Sequence, residues 1–221
     1  MSILLHNITE RVKKMIYPNI FAQQFQFLQS NPNNLSAPTR SSKVILPLHS
    51  AIARQIEQNS HYSTISLKEG KEYNYWGVYG SKKVDIAIMN NNKIVGAILF
   101  KGIRSSYNKN ANNFIENMRG ESTLFIDSGT PLYQIIFLPT QILLPNQKVE
   151  HPSFNSIQHY RDFLSYKETS SYWNRLKIGV YYIDISYEDY TGKYSSIIMP
   201  SVEPTLTEGI NNFIMEIQKY E

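Results

Sequence analysis

Lys83-Val84-Asp85-Ile86-Ala87-Ile88-Met89, then Asn90-Asn91-Asn92, then Lys93-Ile94-Val95-Gly96-Ala97-Ile98-Leu99-Phe100-Lys101 is the stretch that decides the fold. Two apolar runs flank an asparagine triplet. This reads as a β-hairpin, because asparagine tolerates the positive φ that a tight reversal needs. Strand parity gives Asp85, Ala87 and Met89 one face, and gives Val95, Ala97, Leu99 and Lys101 one face of the second strand. The connection Asn90 to Lys93 pairs Met89 with Ile94 and sets Asp85 opposite Ile98, with Lys101 in reach of a long side chain. A slip of one residue breaks that arrangement. An acid and an amine in so apolar a setting cost stability unless they are used.

Working outward, Tyr73 to Tyr79 reads as the preceding strand and Gly80-Ser81-Lys82 as the turn into the hairpin. After it, Tyr107, Ala111, Phe114, Ile115 and Met118 recur at helical spacing, predicting a helix over Ser106 to Arg119, with Ser105 or Ser106 as cap and Gly120 just past its end. Pro131 to Leu138 is a buried strand candidate, Pro139 to Pro152 an irregular segment, and Asn155 to Tyr166 a helix. Leu176 to Tyr187 and Tyr194 to Met199 read as strands, and Leu206 to Tyr220 as an amphipathic helix. Upstream, Ser2 to Ile16, Asn19 to Gln29 and Leu48 to Gln58 read as helices, Ser30 to Ser42 as a loop, and Ser63 to Leu67 as a short strand. The pattern predicts one α/β domain over 1–221, a mixed central sheet flanked by helices. Residues 1–60 are its mostly helical part, 73–138 its core, and 139–221 the remaining sheet, loops and last helix.

Composition narrows the chemistry. There is no cysteine, which excludes disulfides, thiolate nucleophiles and cysteine zinc sites. The five histidines, His6, His49, His61, His151 and His159, show no metal-ligand spacing. No P-loop and no G-x-S-x-G motif occurs. No apolar run reaches about 18 residues, and the first residues lack the form of a secretory signal, so a cytoplasmic chain without a membrane span is expected. The net charge of +4 permits a polyanionic partner. It is concentrated: from Lys101 to Gly120, Lys101, Arg104, Lys109 and Arg119 face a single carboxylate, Glu116.

A carboxylate and a lysine on adjacent strands suit metal-assisted phosphodiester hydrolysis, in which Mg²⁺ takes oxygen ligands and the lysine steadies the attacking water or the phosphate. One aspartate is a marginal ligand set, so a second carboxylate is wanted. Read singly, Asp85 also suits a strand-end salt bridge, Lys101 a strand-end cation and Glu116 a solvated helix position.

Asp85, the hairpin and Lys101 resemble the PD-(D/E)xK nuclease superfamily, which includes many type II restriction endonucleases. The likeness is strongest over Gly80 to Glu121, and Lys101-Gly102-Ile103-Arg104-Ser105-Ser106-Tyr107-Asn108-Lys109-Asn110-Ala111-Asn112-Asn113-Phe114-Ile115-Glu116-Asn117-Met118-Arg119-Gly120-Glu121 is similar to a segment of such enzymes. Val84 stands where the family often has proline, and Leu99 where it keeps its second acid. Some restriction enzymes move that acid to the following helix. The resemblance therefore implies Asp85 and Glu116 as Mg²⁺ ligands and Lys101 as the residue that positions the water. Glu121 is the second choice, and Glu57, Glu69 and Glu72 are upstream alternatives.

The implied activity is Mg²⁺-dependent, site-specific cleavage of double-stranded DNA by a homodimer with a restriction-endonuclease-like fold. The alternatives are a repair or junction-resolving nuclease of that fold, or a non-catalytic DNA-binding protein with a decayed site. Arg104, Ser105, Ser106, Tyr107, Asn108, Lys109 and Asn112 form the expected DNA contact near the scissile phosphate, since helix starts bind phosphate and Asn and Arg read base edges. Lys167, Tyr172, Trp173, Asn174 and Arg175 form a second candidate patch, with core packing an equal reading for Trp173.

Overall fold

The structure is a computed structural model and describes residues 42–66, 72–102, 107–139, 142–143, 149–150, 169–188, 193–198 and 205–221, with Tyr17, Asn19, Ile20, Gln23, Asp162, Phe163 and Tyr166. The expected helix over 2–16, most of those over 19–29 and 155–166, and the loop over 30–41 lie outside these residues.

The element order is α1 (Ser42–Asn59), β1 (Ser63–Ser66), β2 (Tyr73–Gly77), β3 (Gly80–Val84), β4 (Ile86–Asn90), β5 (Lys93–Gly102), α2 (Tyr107–Ile126), β6 (Leu132–Pro139), β7 (Ile142–Leu143), β8 (Val149–Glu150), β9 (Leu176–Glu188), β10 (Lys193–Ile198) and α3 (Thr205–Ile217). One sheet runs β1-β4-β5-β6-β9-β10, and β2-β3 and β7-β8 form two small ribbons. β5, β6 and β9 are parallel neighbours and the outer pairs are antiparallel, so the sheet is mixed, as the sequence predicts.

Each face of the sheet is sealed by helices. On one side Leu48, Ile52 and Ile56 of α1 and Leu206, Ile210, Phe213, Ile214 and Ile217 of α3 pack over Ile86, Ile88 and Ile98. On the other, Ala111, Ile115, Met118, Phe125 and Ile126 of α2 pack over Ala87, Met89, Ala97 and Leu99. The spacing of these apolar positions, three and four apart, is what makes each segment an amphipathic helix. α1 begins before Pro47, earlier than its sequence suggests, because burial of the Leu48 face outweighs one missing N–H.

The hairpin reverses through Asn91 and Asn92, whose φ values of 48° and 63° match a two-residue primed turn. Met89 pairs with Ile94 as expected, but Ile88 pairs with Gly96, leaving Val95 as an extra residue. This β-bulge moves the register by one. Val95 turns to the α1 and α3 side, whereas Ala97 and Leu99 face α2. Val95 therefore does not share a face with Leu99, and Ile98 pairs with Ile86 rather than lying opposite Asp85.

Two further expectations change. The turn before the hairpin is Val78-Tyr79, and Gly80-Ser81-Lys82 belongs to β3. The helix runs through Gly120 to Ile126. Glycine costs about 1 kcal/mol in a helix, less than is gained by burying Met118, Phe125 and Ile126 on the same stripe. It stops instead at Gly129, φ 72°, where Thr130 N–H bonds the Phe125 carbonyl and Gly129 N–H the Ile126 carbonyl, each at 2.9 Å.

Candidate functional site

Asp85 sits at the bend between β3 and β4, not within a strand. Its neighbours Val84 and Ile86 are fully buried and hold the bend. Its Oδ2 accepts a hydrogen bond from the Phe100 N–H at 2.8 Å, so the carboxylate takes a main-chain donor of β5. Burial pushes the Asp85 carboxyl up to about 6, with the nearby Glu72 adding to the rise; the Phe100 N–H, Lys101 and Lys82 act the other way.

The bulge brings Asp85 and Lys101 together. Without Val95 as an extra residue, the Met89–Ile94 pairing would put Leu99 and Lys101 on the face opposite to Asp85. With it, Asp85, Leu99, Lys101, Lys82, Lys83, Glu72, Phe100 and Glu121 border one cavity of about 230 Å³.

Glu121 is the helix carboxylate in this cavity. Its Oε1 lies 2.9 Å from Lys101 Nζ and 2.6 Å from Lys82 Nζ. Its Oε2 is 2.7 Å from Lys101 Nζ, yet it is buried with no well-directed hydrogen bond. Burial alone would raise the Glu121 carboxyl, but the Lys101 and Lys82 ammoniums outweigh it and hold the group below the usual range.

Glu116 is exposed and borders a neighbouring cavity of about 410 Å³ with Tyr79, Lys82 and Glu121. Helix geometry explains the difference. At about 100° per residue, Glu116 falls about 160° from the buried Met118, whereas Glu121 falls only about 60° from it. The structure thus gathers Asp85, Lys101 and Glu121, and leaves Glu116 one cavity away.

Of the expected DNA contacts, Arg104, Ser105 and Ser106 lie outside the described residues. Tyr107, Asn108 and Lys109 form the first turn of α2, and Asn112 is exposed further along it. In the second patch Trp173 is core, 4% exposed and edge-on to Phe163 at 5.6 Å, while Tyr172 remains exposed.

Lys82 is the site residue that sequence reasoning passed over, because Gly80-Ser81-Lys82 reads as a turn. The alternation Tyr73, Tyr75 against Lys82, Val84 carries the signal. Tyr75 is buried, stacks on Phe125 at 4.4 Å, and its hydroxyl meets Thr130 Oγ1 at 2.9 Å, fixing the ribbon that aims Lys82 at Glu121.

The donor set suits a hard cation. Asp85, Glu121 and Glu72 offer only carboxylate oxygens, and the Glu121 Oε2 lacks a directed donor. Among the described residues, no three such groups are already drawn together as a cation cage. No helix of the described residues is long and apolar enough to cross a membrane. No family model, curated protein or solved structure matches the chain.

Proposed function

We propose that the chain is a Mg²⁺-dependent endonuclease that hydrolyses phosphodiester bonds of double-stranded DNA at specific sites, in the manner of a type II restriction enzyme. The observation that supports this is the meeting of Asp85, Lys101 and Glu121 in one cavity bordered by two further lysines.

Asp85 and Glu121 are the residues that would hold the cation. A bound Mg²⁺ would supply a water acidified toward hydroxide and a polarised phosphate. The Phe100 N–H fixes the Asp85 carboxylate and leaves its other oxygen for a ligand. Lys101 offers hydrogen-bond donors to the phosphate or the attacking water once it shares Glu121 with the cation. Lys82 keeps Glu121 ionised and anchors it to β3. Lys83, exposed at the rim, meets an incoming anion. The start of α2, with Tyr107, Asn108 and Lys109, is where the phosphate backbone continues. One site per chain and two strands to cut imply a twofold homodimer, acting in the cytoplasm.

Incubating plasmid DNA with the protein and Mg²⁺ tests the reading. Discrete fragments are expected, and neither Asp85→Ala nor Lys101→Ala yields them. Full-rate cutting by either variant would overturn it.

A further inference from the structure

The β2–β3 ribbon has two faces of opposite character. Inward, Tyr75 and Val84 are buried and Lys82 reaches Glu121. Outward, Trp76 pairs with Ser81 and Asn74 with Lys83, and all four side chains are exposed. Trp76 is 72% exposed, and the turn adds Val78 at 64% and Tyr79 at 78%. Large apolar side chains gathered at one tip mark a contact surface rather than chance. The cation of the outward face, Lys83, also borders the Asp85 cavity, and Glu72, two residues before Asn74, borders the same cavity.

We propose that this ribbon holds a nucleobase displaced from the DNA stack, with Trp76 against the ring face and Lys83 against the adjoining phosphate. The inference rests on the phosphodiesterase reading of the Asp85 cavity. An indole stacks on the face of any base. An intact duplex keeps those faces covered, so the DNA must present an unpaired or extruded base near the cut. Ser81 lies across from Trp76, and four residues of extended chain carry it to Asp85. That is about 13 Å at strand rise, or about four steps of stacked DNA at roughly 3.4 Å each. The displaced base therefore lies about four nucleotides from the scissile phosphate. A second copy of the chain is the competing occupant. Because Lys83 belongs both to this face and to the Asp85 cavity, one polyanion with stackable bases reaches both, which a second copy of the chain does not.

Trp76 supplies its own probe, because the only other tryptophan, Trp173, is buried. The full chain is titrated without Mg²⁺ with a short DNA duplex carrying one unpaired adenine, and with the fully paired parent. The bulged duplex is expected to quench tryptophan emission and bind at least about fivefold more tightly. Trp76→Ala abolishes the preference and Trp76→Phe keeps most of it. With Mg²⁺, on a duplex carrying a site cut in plasmid DNA, a bulge about four nucleotides from the cut speeds cleavage. Equal affinity for the two duplexes, or an unchanged preference in Trp76→Ala, overturns the proposal. So does self-association that Trp76→Ala removes while DNA binding persists. Preference for the bulge with no cutting of plasmid DNA in Mg²⁺ would leave the ribbon standing and end the phosphodiesterase reading. Cutting that ignores both bulge and Trp76 would do the reverse.

Discussion

The Lys101 ammonium straddles the Glu121 carboxylate, 2.9 Å from Oε1 and 2.7 Å from Oε2. Lys82 closes on Oε1 at 2.6 Å, so one anion from α2 joins cations from β3 and β5. Glu121→Gln leaves two ammoniums crowded without a counter-charge. A stability loss of about 1–3 kcal/mol is expected, below that of a fully buried pair because the groups keep some exposure. Plasmid cleavage should fall at least about 100-fold, and Glu116→Gln should cut within about twofold of the parent. Urea melts and cleavage rates of the two variants, side by side, check both.

Asp85 and His49 set opposing pH dependences. Burial raises the Asp85 carboxyl from 3.8 to about 6. The folded state therefore holds a proton that the unfolded state releases, and stability falls as pH rises from about 4 to 6. His49 is buried, stacks on Phe100 at 4.7 Å, and has no hydrogen-bond partner among the described residues at either ring nitrogen. Burial lowers it from 6.5 to about 4, so its contribution falls as pH drops through the same window. The two slopes nearly cancel. In metal-free buffer, Asp85→Asn should gain stability with rising pH, and His49→Phe should lose it, each by about 1.4 kcal/mol per pH unit. Parallel profiles in both variants would count against this pairing. Glu121 acts further down, its stabilisation being lost only as pH falls below the usual carboxylate range.

Mg²⁺ should stabilise the protein near neutral pH through Asp85. At about a hundredfold over its dissociation constant, a ligand of the folded state adds about 2.7 kcal/mol. Thermal melts with and without Mg²⁺ should separate for the parent chain and coincide for Asp85→Asn.

Gly77 lets the β2–β3 ribbon lie flat on α2. A Cβ there would stand 2.7 Å from the Leu124 carbonyl oxygen and 2.6 Å from Leu124 Cδ1. Because one obstacle is main chain, Gly77→Ala should cost about 1–3 kcal/mol. It should also lift Lys82 from Glu121, lowering cleavage more than the melting shift alone explains. Gly96→Ala meets side-chain atoms and no main chain, Ile217 Cδ1 at 2.5 Å and Cγ1 at 3.0 Å, and is expected to cost less.

The hairpin was legible because alternation, asparagine and chain length all point to the same turn, and Asn91 and Asn92 adopt the positive φ their chemistry permits. The same signals put Asp85 and Lys101 on that hairpin, but the register they imply, Asp85 opposite Ile98, would have turned Lys101 to the other face. The bulge at Val95 leaves no composition signal, since Val-Gly-Ala fits a regular strand equally well. Gly120 misled because its cost is local, while the burial of Phe125 that overrides it is tertiary. That error placed Glu121 past a helix end where its direction was unreadable. Lys82 hid behind a Gly-Ser pair whose turn lies two residues earlier.

Val95 makes the placing of Asp85 and Lys101 at one cavity depend on a count of residues. Removing one codon there would spare every polar group and most of the oily interior. It would nonetheless swing the amine to the far side of the sheet, under α1 and α3. Length variation at this one position would therefore undo the Asp85 cavity while leaving each of its side chains in the chain.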